Sequence, residues 1–308
     1  MAGGYFSRWR RLLQPGPDRR RPEIKTDDSI GRPSPRYNLM PVDVHGPVWA
    51  ASLALSLALP PSSNYSMRIP SMALSPASRA VDKDDCLTAP QVEAVKMGYA
   101  PAKRKTGELI YPGLVPGGEM GWAMLTAANP EPGGIDVGMF RYVAHEDSAW
   151  DWRTFDLDRD TSLIDKKAGF IDAVNADLSG FRARGGKLLI YHGWNDGGSG
   201  GAISPQNSVN YYSSVLARMG PKQEDWLRLF MAPGMAHCGG GPGPNQVNWM
   251  AAMERWRESG IAPDRLIASR VSDNRVNMTR PVCPYPQVAQ YTGVGSTNDA
   301  ANFVCKVR

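Results

Sequence analysis

The strongest pattern of apolar and polar positions along the chain lies between residues 187 and 232. Residues 187–193 (KLLIYHG) form a continuous apolar run, which predicts a strand buried on both faces, and residues 226–232 (WLRLFMA) predict a second one. Between them, Ser204 and Pro205 predict the N-cap and first turn of a helix that ends at Gly220. Because strands that alternate with helices favour parallel pairing through right-handed crossovers, we predict an α/β fold.

Weaker patterns extend this arrangement in both directions. Residues 175–185 predict a helix, residues 246–260 predict another, and residues 265–271 predict a short strand. Upstream, Thr88 followed by Gln91 has the spacing of a capping box and predicts the start of a helix. The positions predicted to face the core are Val209, Tyr212, Val215 and Leu216 in the helix after Ser204, and Val247, Met250, Met253 and Trp256 in the helix over 246–260.

Residues 1–80 differ in composition from the remainder. They contain 11 of the 26 prolines and 11 Lys or Arg residues against five Asp or Glu residues, so the net charge of +5 resides here and the rest is close to neutral. A nearly neutral folded part gives no basis for nucleic-acid binding. The apolar run over 48–60 is too short to span a bilayer, which needs about 20 residues, and it lies far from the N-terminus for a signal peptide.

Two polar residues follow the two predicted strands and suggest chemistry. Asp196 comes shortly after the first strand and His237 shortly after the second, and the carboxyl ends of parallel strands are where α/β proteins place their sites. In Ser–His–Asp hydrolases of this class the chain order is Ser, Asp, His. Taken alone, Asp196 could be a turn residue and His237 a loop histidine. Together they favour a catalytic pair, whereas His192, at the strand end, is interpreted as structural.

The nucleophile of such a hydrolase is missing from its expected place. The stretch 197–201 (GGSGG) matches G-x-S-x-G, but Ser199 follows Asp196 instead of preceding it. A run of glycines is also too flexible to hold a strained nucleophile turn. We therefore interpret Ser199 as part of a loop and leave the nucleophile unassigned.

The four cysteines give no metal motif. Cys86, Cys238, Cys283 and Cys305 form no C-x-x-C pair, and the acidic stretch 156–160 (DLDRD) lacks the Gly and Glu of a calcium loop, so no metal site is predicted. Free thiols remain one interpretation. Disulfides formed in an oxidising compartment are favoured.

Several motifs together resemble the tannase and feruloyl esterase family, which also contains hydrolases of aromatic polyester monomers. The resemblance covers about residues 85–308. Its segments are CLTAPQVEAV (86–95), IYPGLVPGGEMGW (110–122), WDWRTFDLDRD (150–160), GGKLLIYHGWND (185–196), ISPQNSVNYY (203–212), RLFMAPGMAHCGGGPGPN (228–245), GIAPDRLIASR (260–270) and TRPVCPYPQVAQY (279–291).

The resemblance implies a fold, an activity and roles for individual residues. It implies the C-terminal part of an α/β-hydrolase sheet over 175–308, a partial lid subdomain over 82–174 and an unrelated, disordered leader over 1–81. Asp196 would be the triad acid and His237 the base of a secreted or periplasmic esterase acting on gallate or hydroxycinnamate esters. Cys283 and Cys305 would form a disulfide, while Cys86 and Cys238 would have lost their partners. The candidate pocket residues are Trp122, Trp150, Trp152 and Arg153, each of which could equally belong to a core.

Departures from the family pattern lead to three readings. The Gly-Cys-Ser-x-Gly-Gly nucleophile turn of the family and its calcium loop are absent upstream of Cys86, so no cofactor is expected. The chain is then an esterase fragment with little activity of its own. Alternatively, it is a non-catalytic remnant that binds aromatic compounds or self-associates through an exposed sheet edge, or it is an active hydrolase that uses Ser199.

Overall fold

The computed structural model describes residues 89–119, 137–197 and 203–307. The helices are α1 (Ala89–Tyr99), α2 (Leu157–Ala168), α3 (Ser179–Ala183), α4 (Pro205–Met219) and α5 (Trp249–Ser259). The strands are β1 (Ala102–Lys103), β2 (Leu109–Tyr111), β3 (Leu188–Gly193), β4 (Leu227–Ala232), β5 (Leu266–Ser272), β6 (Arg275–Val282), β7 (Gln287–Tyr291) and β8 (Phe303–Val307). A π-helical turn (Met139–Ala144) and three 3-10 turns (Trp152–Thr154, Gly169–Ile171 and Ala300–Asn302) complete the described elements.

The centre of the α/β region is a parallel pair of strands, β3 and β4, joined through α4. The register runs from Leu188 opposite Leu227 to Gly193 opposite Ala232, so both strands end at the same edge. Helix α4 begins as the sequence predicts, because the Ser204 side chain accepts a hydrogen bond from the Gln206 N–H and Pro205 occupies the first turn. The parallel strand pair and its connecting helix confirm the predicted α/β class.

Both faces of the β3–β4 pair are covered, which explains why their sequences are continuously apolar. Toward α4, Leu227 and Leu229 pack with Val209 and Val215 of the helix. On the opposite face, Phe230 packs with residues of α5, β5 and β6. The segment after β6 lies along the other side of β4, where the Tyr285 N–H donates to the Leu229 carbonyl at 2.7 Å.

The remaining strands pair antiparallel, β5 with β6 and β7 with β8. The sequence patterns predict β5 but neither β6 nor the β7–β8 hairpin. Among the described residues, no helix is both long and apolar enough to cross a membrane.

Residues 89–119 and 137–171 form a more irregular part with its own small core. Phe140 and Trp150 pack there against Ile164 of α2, and β1 and β2 form a short antiparallel hairpin. Helix α1 agrees with the predicted helix start, although Thr88 itself lies outside the described residues. Whether this part forms a lid, and whether the chain divides at residues 81 and 174, stay predictions.

Several predicted details are wrong. The helix expected over 175–185 is reduced to the five residues of α3, because Asn175 and Asp177 instead use their side chains to accept N–H groups two residues ahead, an alternative to helical bonding. In α5 the core-facing residues include Ala252 and Trp256, whereas Met250 is exposed. Helix α2 was not predicted, although Asp156 caps it by accepting the Arg159 N–H.

Candidate active site

The end of β3 and the loop that follows β4 approach so closely that the backbone between them leaves no room for a side chain. A Cβ on Gly193 would lie 2.2 Å from the Met235 carbonyl oxygen, so glycine is required for this approach. The Trp194 N–H donates to the Ala232 carbonyl and the Asn195 N–H to the Met235 carbonyl, both at 2.9 Å. These bonds fix the two loops that carry Asp196 and His237 against each other.

Asp196 and His237 are in direct contact. His237 Nδ1 lies 2.8 Å from Asp196 Oδ2. The Asp196 side chain is 2% exposed, whereas the His237 side chain is 37% exposed, so the ring reaches the surface while its partner is buried. Burial opposes ionisation of Asp196, but hydrogen bonds from His192 and His237 outweigh it and hold the pKa of this carboxyl below its usual value.

A second histidine contacts the same carboxylate oxygen. His192 Nε2 lies 3.1 Å from Asp196 Oδ2, and its Nδ1 lies 2.8 Å from the Ser208 hydroxyl in the first turns of α4. Sequence reasoning interprets His192 as structural and assigns no role to Ser208. The signal in the sequence is a spacing of four residues, which places Ser208 on the same face as the N-cap residue Ser204. In the structure both serines are buried.

Tyr111 of β2 is buried and interacts electrostatically with Asp196. The pKa of its hydroxyl is raised, mainly by burial and next by the negative charge of Asp196, while Ser204 opposes the rise. The charge of Asp196 therefore acts on groups from β2, β3 and the loop after β4, namely Tyr111, His192 and His237.

The segment 117–119 supports the loop that carries Asp196. The Asn195 side-chain N–H donates to the Gly117 carbonyl. A Cβ on Gly197 would lie 1.6 Å from the Gly118 carbonyl oxygen, so the two backbones touch. Glu119 accepts the Gly117 N–H at 2.9 Å and also the Tyr99 hydroxyl. The loop after β3 is thus held from the side of the irregular part.

The loop that carries His237 is shaped by its glycine-rich sequence. Cys238, directly after the histidine, has a positive φ of 57°, and Gly240 and Gly241 also adopt positive φ. The Ala236 N–H donates to the Gly240 carbonyl at 3.2 Å, which closes a tight turn beside the ring. Cys283 and Cys305 form a disulfide, as the family resemblance implies.

Several sequence-predicted site residues lie elsewhere or outside the described residues. Trp150 is buried in the core around Phe140, which supports its alternative as a core residue. Trp152 packs at the edge of that core, with the exposed Arg153 guanidinium 4.7 Å from the centre of its ring. Cys86, Trp122 and Ser199 lie outside the described residues.

No metal site is seen in the described part of the chain. In it, no group of three or more His, Cys, Asp or Glu side chains comes together to hold an ion.

An Asp–His pair at the ends of two adjacent parallel strands, joined by a crossover helix, is an arrangement of α/β-hydrolase type. Comparison with known proteins agrees with it. The sequence profile described as "Tannase and feruloyl esterase" matches residues 66–306. The chain belongs to this family.

Individual relatives agree with the family. An uncharacterized esterase of Xanthomonas campestris pv. campestris is 35% identical over 275 residues, which cover 73% of this chain and 47% of the relative. A probable feruloyl esterase B-2 of Aspergillus terreus is 32% identical over 244 residues, covering 73% and 45%. The crystal structure of feruloyl esterase B from Aspergillus oryzae superimposes with a TM-score of 0.67 at 28% identity, covering 75% and 48%. The chain thus spans about half the length of the relatives it matches.

Proposed function

We propose that this chain carries the acid and the base of a carboxylic-ester hydrolase that acts on esters of aromatic acids. The observation that carries the proposal is the 2.8 Å contact between buried Asp196 and exposed His237 at the common edge of β3 and β4. A carboxylate that accepts a hydrogen bond from Nδ1–H keeps the proton on that nitrogen and leaves the Nε2 lone pair free to act as a base. Because the ring is exposed, that lone pair can meet a substrate.

The chemistry proposed for this pair is acyl transfer through a serine. His237 Nε2 would take the proton of the serine hydroxyl as its oxygen attacks the ester carbonyl, and would return it to the departing alcohol. The same nitrogen would then take a proton from the water that cleaves the acyl-enzyme and return it to the serine. Asp196 would stabilise the imidazolium formed in each step.

We propose that the attacking serine is not supplied by a nucleophile turn in this sequence, and that the chain alone hydrolyses esters slowly or not at all. The single G-x-S-x-G match, over 197–201, follows Asp196 and consists almost wholly of glycine. The matched relatives extend well beyond the region shared with this chain, so a complementary segment is the proposed source of the serine. Within the described residues β3 pairs only with β4, which supports β3 as the edge where a further strand or a second copy would add.

The substrate class and location rest on the family. The relatives named feruloyl esterases support hydroxycinnamate esters, and the family description also supports tannins. The Cys283–Cys305 disulfide supports an oxidising compartment, so we propose a secreted or periplasmic protein.

The test is active-site labelling with a fluorophosphonate probe, read by peptide mass spectrometry, together with hydrolysis of methyl ferulate and methyl gallate. The purified chain is labelled alone and after co-expression with the part of the Xanthomonas relative that it does not match. His237→Gln is the test variant and His145→Gln the matched control, because His145 packs in the separate core around Trp150.

We expect no label on the chain alone, and a labelled serine on the added segment that depends on His237 but not on His145. A labelled Ser199 in the chain alone, lost in Ser199→Ala, would keep the esterase function but overturn the external serine. Hydrolysis or labelling that is indifferent to His237→Gln would overturn the proposed base.

A further inference from the structure

The carboxylate of Asp196 has a second imidazole partner that the proposed acyl transfer does not use. His192 Nε2 lies 3.1 Å from Asp196 Oδ2, the same oxygen that His237 Nδ1 approaches to 2.8 Å. The His192 side chain is 15% exposed, so its ring is mostly enclosed. It lies on β3 itself, in the most regular part of the sheet.

The hydrogen bonds around this carboxylate fix which nitrogen of each ring carries a proton. An ionised carboxylate only accepts, so both His237 Nδ1 and His192 Nε2 must present N–H groups to Oδ2. A neutral His192 with its proton on Nε2 has a bare Nδ1, which accepts the hydroxyl proton of Ser208 at 2.8 Å. The opposite tautomer would point a lone pair at the negative oxygen.

Ser208 is placed for this role by the helix it lies on. It is buried in α4, on the face shared with the N-cap residue Ser204. Ser214 on the same helix donates to the Tyr211 carbonyl at 2.8 Å, the usual fate of a helical serine hydroxyl. The Ser208 hydroxyl instead meets the ring of His192, so α4 reaches the carboxylate through this imidazole.

We propose that His192 is a positioning residue that fixes the Asp196 carboxylate for His237, and that Ser208 fixes the tautomer of His192. The chain of contacts runs from α4 through Ser208, His192 and Asp196 to His237. The inference rests on the proposed function only for its consequence in catalysis, because the contacts themselves are measurable in the chain alone.

A purely space-filling role for His192 makes a different prediction from a positioning role. If the ring only fills space, an apolar side chain of similar size should leave the titration of Asp196 unchanged. If it positions and hydrogen-bonds the carboxylate, loss of the N–H should raise the pKa of Asp196, since burial then meets less opposition. Among the described residues, Tyr111 is a further titratable group that faces this carboxylate, and it is common to all variants.

The experiment is NMR of the full chain, with ring ¹⁵N shifts of the histidines and side-chain ¹³C titration of Asp196. His192→Leu removes the donor, whereas His192→Gln keeps an amide N–H near the position of Nε2. Ser208→Ala removes the hydroxyl, and Ser213→Ala, at an exposed position of the same helix, is its control. Dispersed amide spectra identify the variants that fold.

We expect wild-type His192 to be protonated on Nε2, and the midpoint of Asp196 to rise in His192→Leu and return in His192→Gln. The low-field Nδ1–H signal of His237 should be lost or broadened in His192→Leu. Ser208→Ala should mix the tautomers of His192, and Ser213→Ala should not. In the complemented esterase, His192→Leu should lower kcat at unchanged KM, because His192 is not expected to touch substrate.

Equal Asp196 midpoints in His192→Leu, His192→Gln and wild type would overturn the proposal, as would a His192 protonated on Nδ1. If His192→Leu does not fold, Ser208→Ala provides the test. An unchanged tautomer of His192 in Ser208→Ala would overturn the role of Ser208 and with it the proposed chain of contacts. A shifted Asp196 with no esterase activity in any form would uphold the positioning contacts while the proposed function fails.

Discussion

Two buried aspartates in this molecule each face a histidine, and the two pairs are built from different partners. Asp160 is completely buried and accepts two hydrogen bonds from the Arg159 guanidinium, at 2.7 and 2.8 Å, and one from the Asp156 N–H. His145 Nε2 lies 3.1 Å from it but without the alignment of a hydrogen bond. The hydrogen bonds to Asp196 include two from imidazoles, those of His192 and His237.

The difference in partners separates the structural pair, Asp160 and His145, from the proposed catalytic pair, Asp196 and His237. Arginine stays protonated at every accessible pH, so the charge of Asp160 is already matched and His145 serves mainly as a flat surface stacked on Trp150, at 4.8 Å. At Asp196 the partner His237 can gain and lose its proton, and its side chain is 37% exposed against 19% for His145. Closeness of Asp and His is therefore not enough to indicate catalysis.

The largest expected effect is on catalytic activity, which should depend on Asp196 but not on Asp160. In the complemented esterase, Asp196→Asn should lower kcat by roughly 10⁴-fold, because the amide favours the wrong tautomer of His237. Asp160→Asn should leave kcat essentially unchanged. Hydrolysis of methyl ferulate by the two variants, measured side by side, gives the result; similar losses in both would abolish the distinction between the pairs.

A second effect concerns the parts of the molecule that hold the two pairs, because the disulfide lies in the α/β part, with Asp196, and not in the irregular part, with Asp160. The Cys283–Cys305 bridge closes a loop of 22 residues and lies beside the segment that pairs with β4. The double variant Cys283→Ser, Cys305→Ser should lose about 3 kcal/mol of unfolding free energy. Relative to wild type, hydrogen exchange in this variant should be accelerated more in β4 and β6 than in α2. Equal acceleration in α2 would mean that the two regions open as one unit.

The sequence could predict the Asp196–His237 pair because parallel strands that end at one edge bring their following loops together. It could not predict His192 as a partner of Asp196, since that contact depends on the turn that folds residue 196 back toward β3. Nor could it assign Ser208, whose contact depends on how α4 crosses the sheet. Helix α2 is not predicted because the acidic stretch 156–160 is compared only with a calcium loop, although the Asp156 side chain caps the helix.

A smaller effect is expected on stability at the structural pair. Asp160→Asn should lower the free energy of unfolding by about 2 kcal/mol, because it weakens hydrogen bonds of a buried carboxylate to a charged guanidinium. Urea unfolding followed by tryptophan fluorescence measures it. Asp264→Asn, at an exposed position, is the matched control and should be close to neutral. A loss in Asp264→Asn as large as in Asp160→Asn would show that burial of Asp160 is not the cause.

The smallest effect is the pH dependence of the contribution that Asp196 makes to the free energy of unfolding. The pKa of Asp196 is lower in the folded protein than its usual value, which in unfolded chains is about 3.9. The unfolded chain therefore binds the proton first, and the stabilisation by this carboxylate is fully present above that pH and is lost as the pH falls through the lower folded pKa.

Other carboxyls share this direction, among them Asp177, whose pKa is about 2. The useful quantity is thus the difference in unfolding free energy between wild type and Asp196→Asn, measured by urea from pH 6 to the acid limit of folding. It should stay constant down to about pH 4 and then shrink. A difference that grows on acidification would mean that burial outweighs the two imidazoles, and that Asp196 is held in its protonated form.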